Sequence, residues 1–196
     1  MTGAVTSPLQ RLAQALLDFA FRFRVPLTWV VAIGGLLLAR PTTASIVVGA
    51  VWALIGLGWR AWAAGTIRKN AELAVDGPYA LSRHPLYFGN FMLATGFAAA
   101  SGRLVVLAAI VALTLAVYIP LIQQEEAALL VLFGQRYNGY VRAVGRLVPN
   151  RRNVGLGGAR QRFSWRQYLA NHEYNAAIGY CAAIAALAAL RVLQRH

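Results

Sequence analysis

Two polar segments interrupt an otherwise apolar chain, and their residue types are suited to binding a small charged molecule. The first segment, GPYALSRHPLYFGN at 77–90, has Arg83 and His84 directly before Pro85. Proline suits the first turn of a helix because its missing N–H costs little there. Free N–H groups and the helix dipole favour anions, so a carboxylate could be held at this point. The alternative is that Arg83 binds a lipid phosphate and His84 caps the helix.

The second segment brings two carboxylates to the end of the longest apolar run. Pro120 is expected to kink this helix, and Glu125 and Glu126 follow near the end of its apolar stretch. Adjacent helical side chains point about 100° apart, so at least one carboxylate is expected to face inward. The Glu125 face continues at steps of four with Leu129, Phe133 and Tyr137. A carboxylate beside aromatic rings suits an ammonium or sulfonium cation; the alternative is a solvated helix end with interfacial aromatic residues.

The composition places both segments in an integral membrane protein. Of the 196 residues 59% are hydrophobic and only 13% are charged, which is too apolar for a water-soluble domain of this length. The net charge is +13, but the basic residues are scattered between apolar runs. This pattern favours anionic lipid headgroups as partners and argues against nucleic acid. The single cysteine, Cys181, is expected to pack within an apolar run, with no disulfide and no cysteine-rich metal site.

The predicted fold is all-α and polytopic, with about five membrane-spanning helices. Only the fourth apolar run reaches the roughly 20 residues that a span needs, and the others depend on snorkelling arginines at their ends. An amphipathic interfacial helix is predicted before them at 8–23. The predicted spans are 25–39, 44–59, 86–102, 104–124 and 174–190.

The basic residues also predict an orientation. If the N-terminus is cytoplasmic, most of the 19 basic residues fall in cytoplasmic segments. Both polar segments then face the cytoplasm, and a bacterial inner membrane is the expected location. Small residues at helical spacing predict closely packed helix faces, namely Gly49, Ala53 and Gly56 on one helix and Gly89 and Gly96 on another.

Taken together, the polar segments resemble a family of membrane-embedded methyltransferases. The order GPYALSRHPLYFG, a hairpin of two spans, EEAALLVLFGQRYNGY and RLVP is similar to isoprenylcysteine carboxyl methyltransferases and, more distantly, to phosphatidylethanolamine N-methyltransferases. The resemblance covers roughly 55–150. We therefore divide the chain into three parts. Residues 1–54 hold the interfacial helix and the first spans, residues 55–150 form the methyltransferase-like core, and residues 151–196 hold a basic connector and the last span.

The resemblance implies a cytoplasmic-side pocket for S-adenosylmethionine, reached by a lipophilic or prenylated substrate from the bilayer, with no metal. It places cofactor contacts at Leu73, Ala74, Tyr79, His84, Pro85, Leu86, Tyr87 and Glu125. The residue types agree, because a helix N-terminus with His84 suits the cofactor's carboxylate and Glu125 suits its ammonium group. Tyr79 or Tyr87 can cover an aromatic or cationic part.

The catalytic assignment rests on Glu126, which could position the substrate or act as a base. Its structural alternative is a glutamate paired with Arg83 or Arg136. Beyond Pro149 the chain leaves the resemblance, and His172 and Glu173 are expected to mark a membrane interface.

The methyl acceptor is the least determined part of the prediction. The resemblance favours carboxyl O-methylation of an isoprenylcysteine-like molecule. However, prenylcysteine members carry an arginine that orients the substrate carboxylate where this chain has Leu121, and an apolar side chain cannot pair a carboxylate. Arg142 or Arg146 could substitute. The alternatives are N- or O-methylation of a phospholipid or another small lipid, a non-catalytic membrane scaffold, and a membrane reductase that uses a nicotinamide cofactor.

Overall fold

The computed structural model describes residues 30–68, 72–150 and 162–194, and the regular structure in these ranges is entirely helical. The predicted all-α fold class is therefore confirmed for the described part. The predicted interfacial helix at 8–23 lies outside the described residues. The first predicted span is described from residue 30 onward, where residues 30–37 are helical.

Three of the described helices are long and apolar enough to cross a membrane: Thr43–Thr66, Leu104–Phe133 and Tyr174–Leu193. The helix that corresponds to the predicted span at 86–102 has only 16 residues. At 1.5 Å per residue it is about 24 Å long, less than the roughly 30 Å of a hydrocarbon core. The helices are α1 (Thr43–Thr66), the 3-10 helix η1 (Gly77–Ala80), α2 (Pro85–Ala100), α3 (Leu104–Phe133), α4 (Gln135–Ala143), α5 (Trp165–Ala170) and α6 (Tyr174–Leu193).

The helix ends follow from local sequence. Thr42 and Ser45 form a reciprocal capping box at the start of α1, with the Thr42 Oγ1 accepting from the Ser45 N–H at 3.0 Å. Pro85 begins α2, as its position in the sequence predicts. α3 continues through Pro120 and ends where Gly134 adopts a φ of +53°, a conformation that disfavours residues with a side chain.

Helices α1 and α2 pack closely because glycines and alanines line their interface. A Cβ atom added to Gly56 would lie 2.7 Å from the Met92 Cβ, and one added to Gly96 would lie 2.8 Å from the Ala53 Cβ. No side chain larger than hydrogen fits at either glycine without displacing the partner helix. The small-residue faces predicted from the sequence are therefore confirmed as a helix interface.

The helical bundle has two opposite ends, and hydrogen bonds hold the connecting segments together at each of them. At one end the Arg40 N–H donates to the Ser101 carbonyl at 2.9 Å, and the Gln194 side chain donates to the Ala39 carbonyl at 3.1 Å. The other end collects the C-terminal part of α1, the start of α2, the end of α3 and helix α5. Both polar segments lie at this second end.

The expectation that Cys181 packs inside the protein is wrong. Its side chain is exposed on the outer surface of α6. Since α6 is one of the candidate spans, that surface can be covered by lipid instead of by protein.

Candidate active site

A cavity of about 500 Å³ lies where the two predicted polar segments meet, and we call it the polar cavity. Its volume falls in the range of about 300–1,000 Å³ that is typical of small-molecule sites. Six of the residues predicted as cofactor contacts line it: Leu73, Ala74, Tyr79, Leu86, Tyr87 and Glu125. The other three predicted site residues, His84, Pro85 and Glu126, are not among its lining residues.

One wall of the polar cavity is formed at residues 82–84, and the segment that follows α4 holds these residues in place. The Arg83 N–H donates to the Gly145 carbonyl at 2.9 Å, and the His84 N–H donates to the Arg146 carbonyl at 3.2 Å. The buried Ser82 hydroxyl donates to the Leu147 carbonyl at 2.8 Å. The RLVP sequence at 146–149 therefore lies beside the RHP sequence and fixes its backbone.

Tyr79 connects this wall to helix α4. The Tyr140 hydroxyl donates to the Tyr79 carbonyl at 2.7 Å, and both side chains are buried. The turn before Tyr79 requires Gly77, which has a φ of +58°. Burial raises the pKa of the Tyr79 hydroxyl above its usual value, so the group stays protonated and can act as a hydrogen-bond donor.

Glu126 is the carboxylate that faces inward, with 12% of its side chain exposed against 44% for Glu125. It contacts three basic side chains: the Arg146 Nη2 at 2.8 Å, the Arg83 Nη2 at 3.1 Å and the His84 Nε2 at 3.2 Å. The prediction that one of the two carboxylates turns inward is confirmed. Of the two structural partners considered for Glu126, Arg83 is in contact with it, whereas Arg136 is exposed on α4.

His84 bridges the two glutamates. Its Nδ1 lies 3.7 Å from the Glu125 Oε2, on the side opposite its contact with Glu126. Burial lowers the pKa of His84 below its usual value, although both glutamates act in the opposite direction. Only the Glu126 contact is within hydrogen-bonding distance, so the single N–H of a neutral His84 imidazole has Glu126 as its nearer acceptor.

Arg83 supplies buried donors that lack a partner among the described residues. Its side chain is only 8% exposed and lines the polar cavity, and its Nε and Nη1 atoms are buried without a hydrogen bond. The Tyr79 hydroxyl is in the same situation. Leaving a buried donor unsatisfied costs about 1–3 kcal/mol, which an anionic ligand would recover. The sequence offers Arg83 as a lipid-phosphate ligand, and the predicted cofactor contacts do not include it.

A second polar cluster in the cavity was missed by the sequence reasoning. The Arg60 Nε donates to the Glu173 Oε1 at 2.5 Å, and the Arg60 Nη1 donates to the Asn90 Oδ1. Glu173 was expected to mark a membrane interface, but its side chain is only 8% exposed and lines the cavity. The sequence predicts that Arg60, at the end of an apolar run, extends toward the membrane surface as a snorkelling residue. Its pairing with Glu173 is seen only in the tertiary structure.

Comparison with known proteins decides the family. Residues 29–136, more than half of the chain, match the family described as phospholipid methyltransferase. The chain belongs to the phospholipid methyltransferase family. This match confirms the resemblance seen in the sequence, although it begins earlier and ends before the RLVP segment. The protein is therefore assigned to a family of membrane methyltransferases, in agreement with its long apolar helices.

The chain is also similar to a metal-resistance protein, whose name states no reaction. The chain is 31% identical over 145 residues to the nickel-cobalt-cadmium resistance protein NccN of Alcaligenes xylosoxydans xylosoxydans, and the alignment covers 67% of each chain. No solved structure matches the chain. Helix α6 and Glu173 lie beyond the end of the family match at residue 136.

Proposed function

We propose that this family member is an S-adenosylmethionine-dependent methyltransferase that acts on a lipophilic acceptor. The observation that carries the proposal is a pair of opposite charges at the polar cavity. Arg83 lines the cavity and has two buried donors without a partner among the described residues, and Glu125 presents a partly exposed carboxylate. The cofactor has a carboxylate and an ammonium group, and these two side chains complement them. When bound, the cofactor supplies an electrophilic methyl group.

The remaining residues of the polar cavity fit the rest of the cofactor. Tyr79, Tyr87 and Phe133 are aromatic residues on its lining that suit an adenine ring or a sulfonium. Leu73, Ala74 and Leu86 supply apolar surface. Pro85 starts α2 at the cavity, and His84 is placed to orient Glu125.

We assign Glu126 a positioning role that modifies its predicted role as base or substrate ligand. Its three basic contacts fix the RHP segment, and it is not among the residues that line the polar cavity. A carboxylate held by two arginines is a weak base because its negative charge is already compensated. Glu126 therefore acts through Arg83 and His84, which it holds beside the cavity.

The acceptor favoured by the resemblance is an isoprenylcysteine-like carboxylate, with a phospholipid headgroup as the alternative. Of the two arginines that could replace the one missing at Leu121, Arg146 is engaged with Glu126 and Arg142 is exposed on α4. The arginines that line the polar cavity are Arg60, Arg68 and Arg83, and of these Arg60 bonds to Asn90 on α2. We further propose five spans in a bacterial inner membrane, with the cavity on the cytoplasmic side, where the cofactor is made.

Calorimetry on the purified protein tests cofactor binding. We expect S-adenosylmethionine to bind in about the micromolar range, a typical scale for enzyme ligands. Arg83→Gln should weaken binding about tenfold or more, since a charge-assisted hydrogen bond to the carboxylate is lost. Arg136→Gln is the matched control, because it removes the same charge from an exposed site on α4. Absence of heat for both the cofactor and its demethylated product in the wild type would refute the proposal.

A further inference from the structure

A second cavity adjoins the polar cavity, and we call it the apolar cavity. Its volume is about 360 Å³, at the lower end of the range for small-molecule sites. Most of its lining is hydrophobic and comes from α2, α3 and α6, with residues 31–32. Asn90 lines both cavities, so a molecule in one can extend toward the other.

Helix α6 forms one wall of the apolar cavity and lies wholly beyond the family match. Its lining residues are Asn175, Ala176, Gly179, Tyr180 and Ala183. Hydrogen bonds hold this wall in place: the Tyr180 hydroxyl donates to the Gly49 carbonyl at 3.0 Å, and the Asn171 side chain donates to the Ala64 carbonyl at 2.8 Å. The wall is therefore fixed to α1 both within the helix and just before it.

A polar cluster lies at the boundary between the two cavities. Arg60 bonds to both Asn90 and Glu173, and Asn90 lines the apolar cavity together with Tyr118. Arg60 and Glu173 are both largely buried and compensate each other's charge. Polar side chains at this boundary can therefore form hydrogen bonds with the polar end of a bound molecule, and the Arg60–Glu173 pair adds no net charge.

We propose that the apolar cavity binds the hydrocarbon tail of the methyl acceptor and that helix α6 sets the tail length it accepts. Gly179 is the main determinant, because it lines the cavity and a Cβ added there meets no atom of the described residues within 4 Å. The Arg60–Asn90–Glu173 cluster holds the acceptor head beside the polar cavity. The small volume selects acceptors with a single tail over diacyl lipids. This inference rests on the proposed function for the identity of the reaction.

The test fills the apolar cavity by Gly179→Leu in the full chain. Gly58→Leu is the matched control, since Gly58 is an exposed helical glycine on α1 with equally open space around its Cβ position. Both variants and the wild type are reconstituted in lipid nanodiscs. Binding constants are measured for N-acetyl-cysteines carrying S-geranyl, S-farnesyl and S-geranylgeranyl chains, for dioleoylphosphatidylethanolamine, and for S-adenosylhomocysteine.

We expect Gly179→Leu to weaken binding of the two longer chains about tenfold or more, the scale of a methylene-sized misfit in an apolar pocket. The geranyl probe and S-adenosylhomocysteine should bind as they do to the wild type and to Gly58→Leu. Equal chain-length profiles in all three proteins, or preferred binding of the diacyl lipid, overturn the inference. A wild type that binds neither S-adenosylmethionine nor S-adenosylhomocysteine overturns the proposed function instead. If Gly179→Leu still changes the chain-length profile in that case, the tail site is supported independently of the reaction.

Discussion

At the scale of single residues, the candidate site is a set of charges whose roles depend on which way each side chain points. The sequence predicts that one of two adjacent glutamates turns inward, because neighbouring helical side chains diverge by about 100°. It does not predict which one. Glu126 is the one held inward, by contacts with Arg83, His84 and Arg146, and Arg146 is 20 positions away in the sequence. The role of Arg83 was ambiguous for the same reason, since burial of its donors is a tertiary property.

Exchange of the two glutamates for glutamine separates positioning from cofactor binding. Glu126→Gln removes the charge shared by three basic side chains, so we expect the free energy of unfolding to fall by about 1–3 kcal/mol. Glu125→Gln should leave stability unchanged and weaken cofactor binding, because Glu125 is partly exposed on the cavity. Thermal unfolding and calorimetry in the same detergent measure both effects. A Glu126→Gln protein with normal stability and normal cofactor affinity but no turnover would instead support Glu126 as the base.

Protonation of His84 is expected to make stability depend on pH. Burial lowers the pKa of His84 in the folded protein below its usual value of 6.5, despite the adjacent Glu125 and Glu126. Below about 6.5 the unfolded chain therefore binds this proton more readily, and the free energy of unfolding falls as the pH drops. His84→Asn should flatten the pH dependence of the melting temperature between about pH 7.5 and 5.5. An unchanged slope in this variant would assign the effect to other groups.

At the scale of elements, the sequence predicts helices better than it predicts the contacts between them. Apolar runs located the helices, and small residues located the α1–α2 interface, because both signals are local and periodic. The pairing of 81–84 with 145–150 was not predicted, since irregular segments joined by backbone hydrogen bonds carry no hydrophobic period. Glu173 was misplaced because its partner Arg60 lies 113 positions earlier, on another helix.

Two glycines on α1 offer a direct test of the α1–α2 interface. Gly56→Ala places a methyl group 2.7 Å from the Met92 Cβ, so we expect a loss of about 1–3 kcal/mol from overpacking. Gly58→Ala has open space around the added methyl group and should be neutral or gain up to about 1 kcal/mol from helix propensity. Thermal unfolding of the two variants side by side measures the difference. Equal melting temperatures would show that the helices separate enough to admit a methyl group.

At the scale of the whole molecule, the positions of the arginines and the hydrogen bonds between connecting segments distinguish the same two ends of the bundle. Arg40 and Arg103, two of the four arginines that the orientation predicts on the outer side, occur at the end where the Arg40 N–H meets the Ser101 carbonyl and the Arg103 side chain meets the Leu38 carbonyl. The polar cavity and its arginines lie at the other end. The fold itself separates the two ends. Which end faces the cytoplasm is inferred only from the excess of basic residues near the cavity.

Cysteine labelling in intact cells tests this orientation with the full chain. The native thiol is removed by Cys181→Ser, and single cysteines are introduced at opposite ends by Arg103→Cys and Arg162→Cys, both at exposed positions. Because most of the basic residues in the described ranges lie at the Arg162 end, the positive-inside rule places that end in the cytoplasm. A membrane-impermeant maleimide should therefore label the Arg103→Cys protein in intact cells and the Arg162→Cys protein only after permeabilisation. The reverse pattern would put the polar cavity on the outer face, away from the cytoplasmic supply of S-adenosylmethionine. It would contradict the proposed reaction, because that reaction needs access to this cofactor.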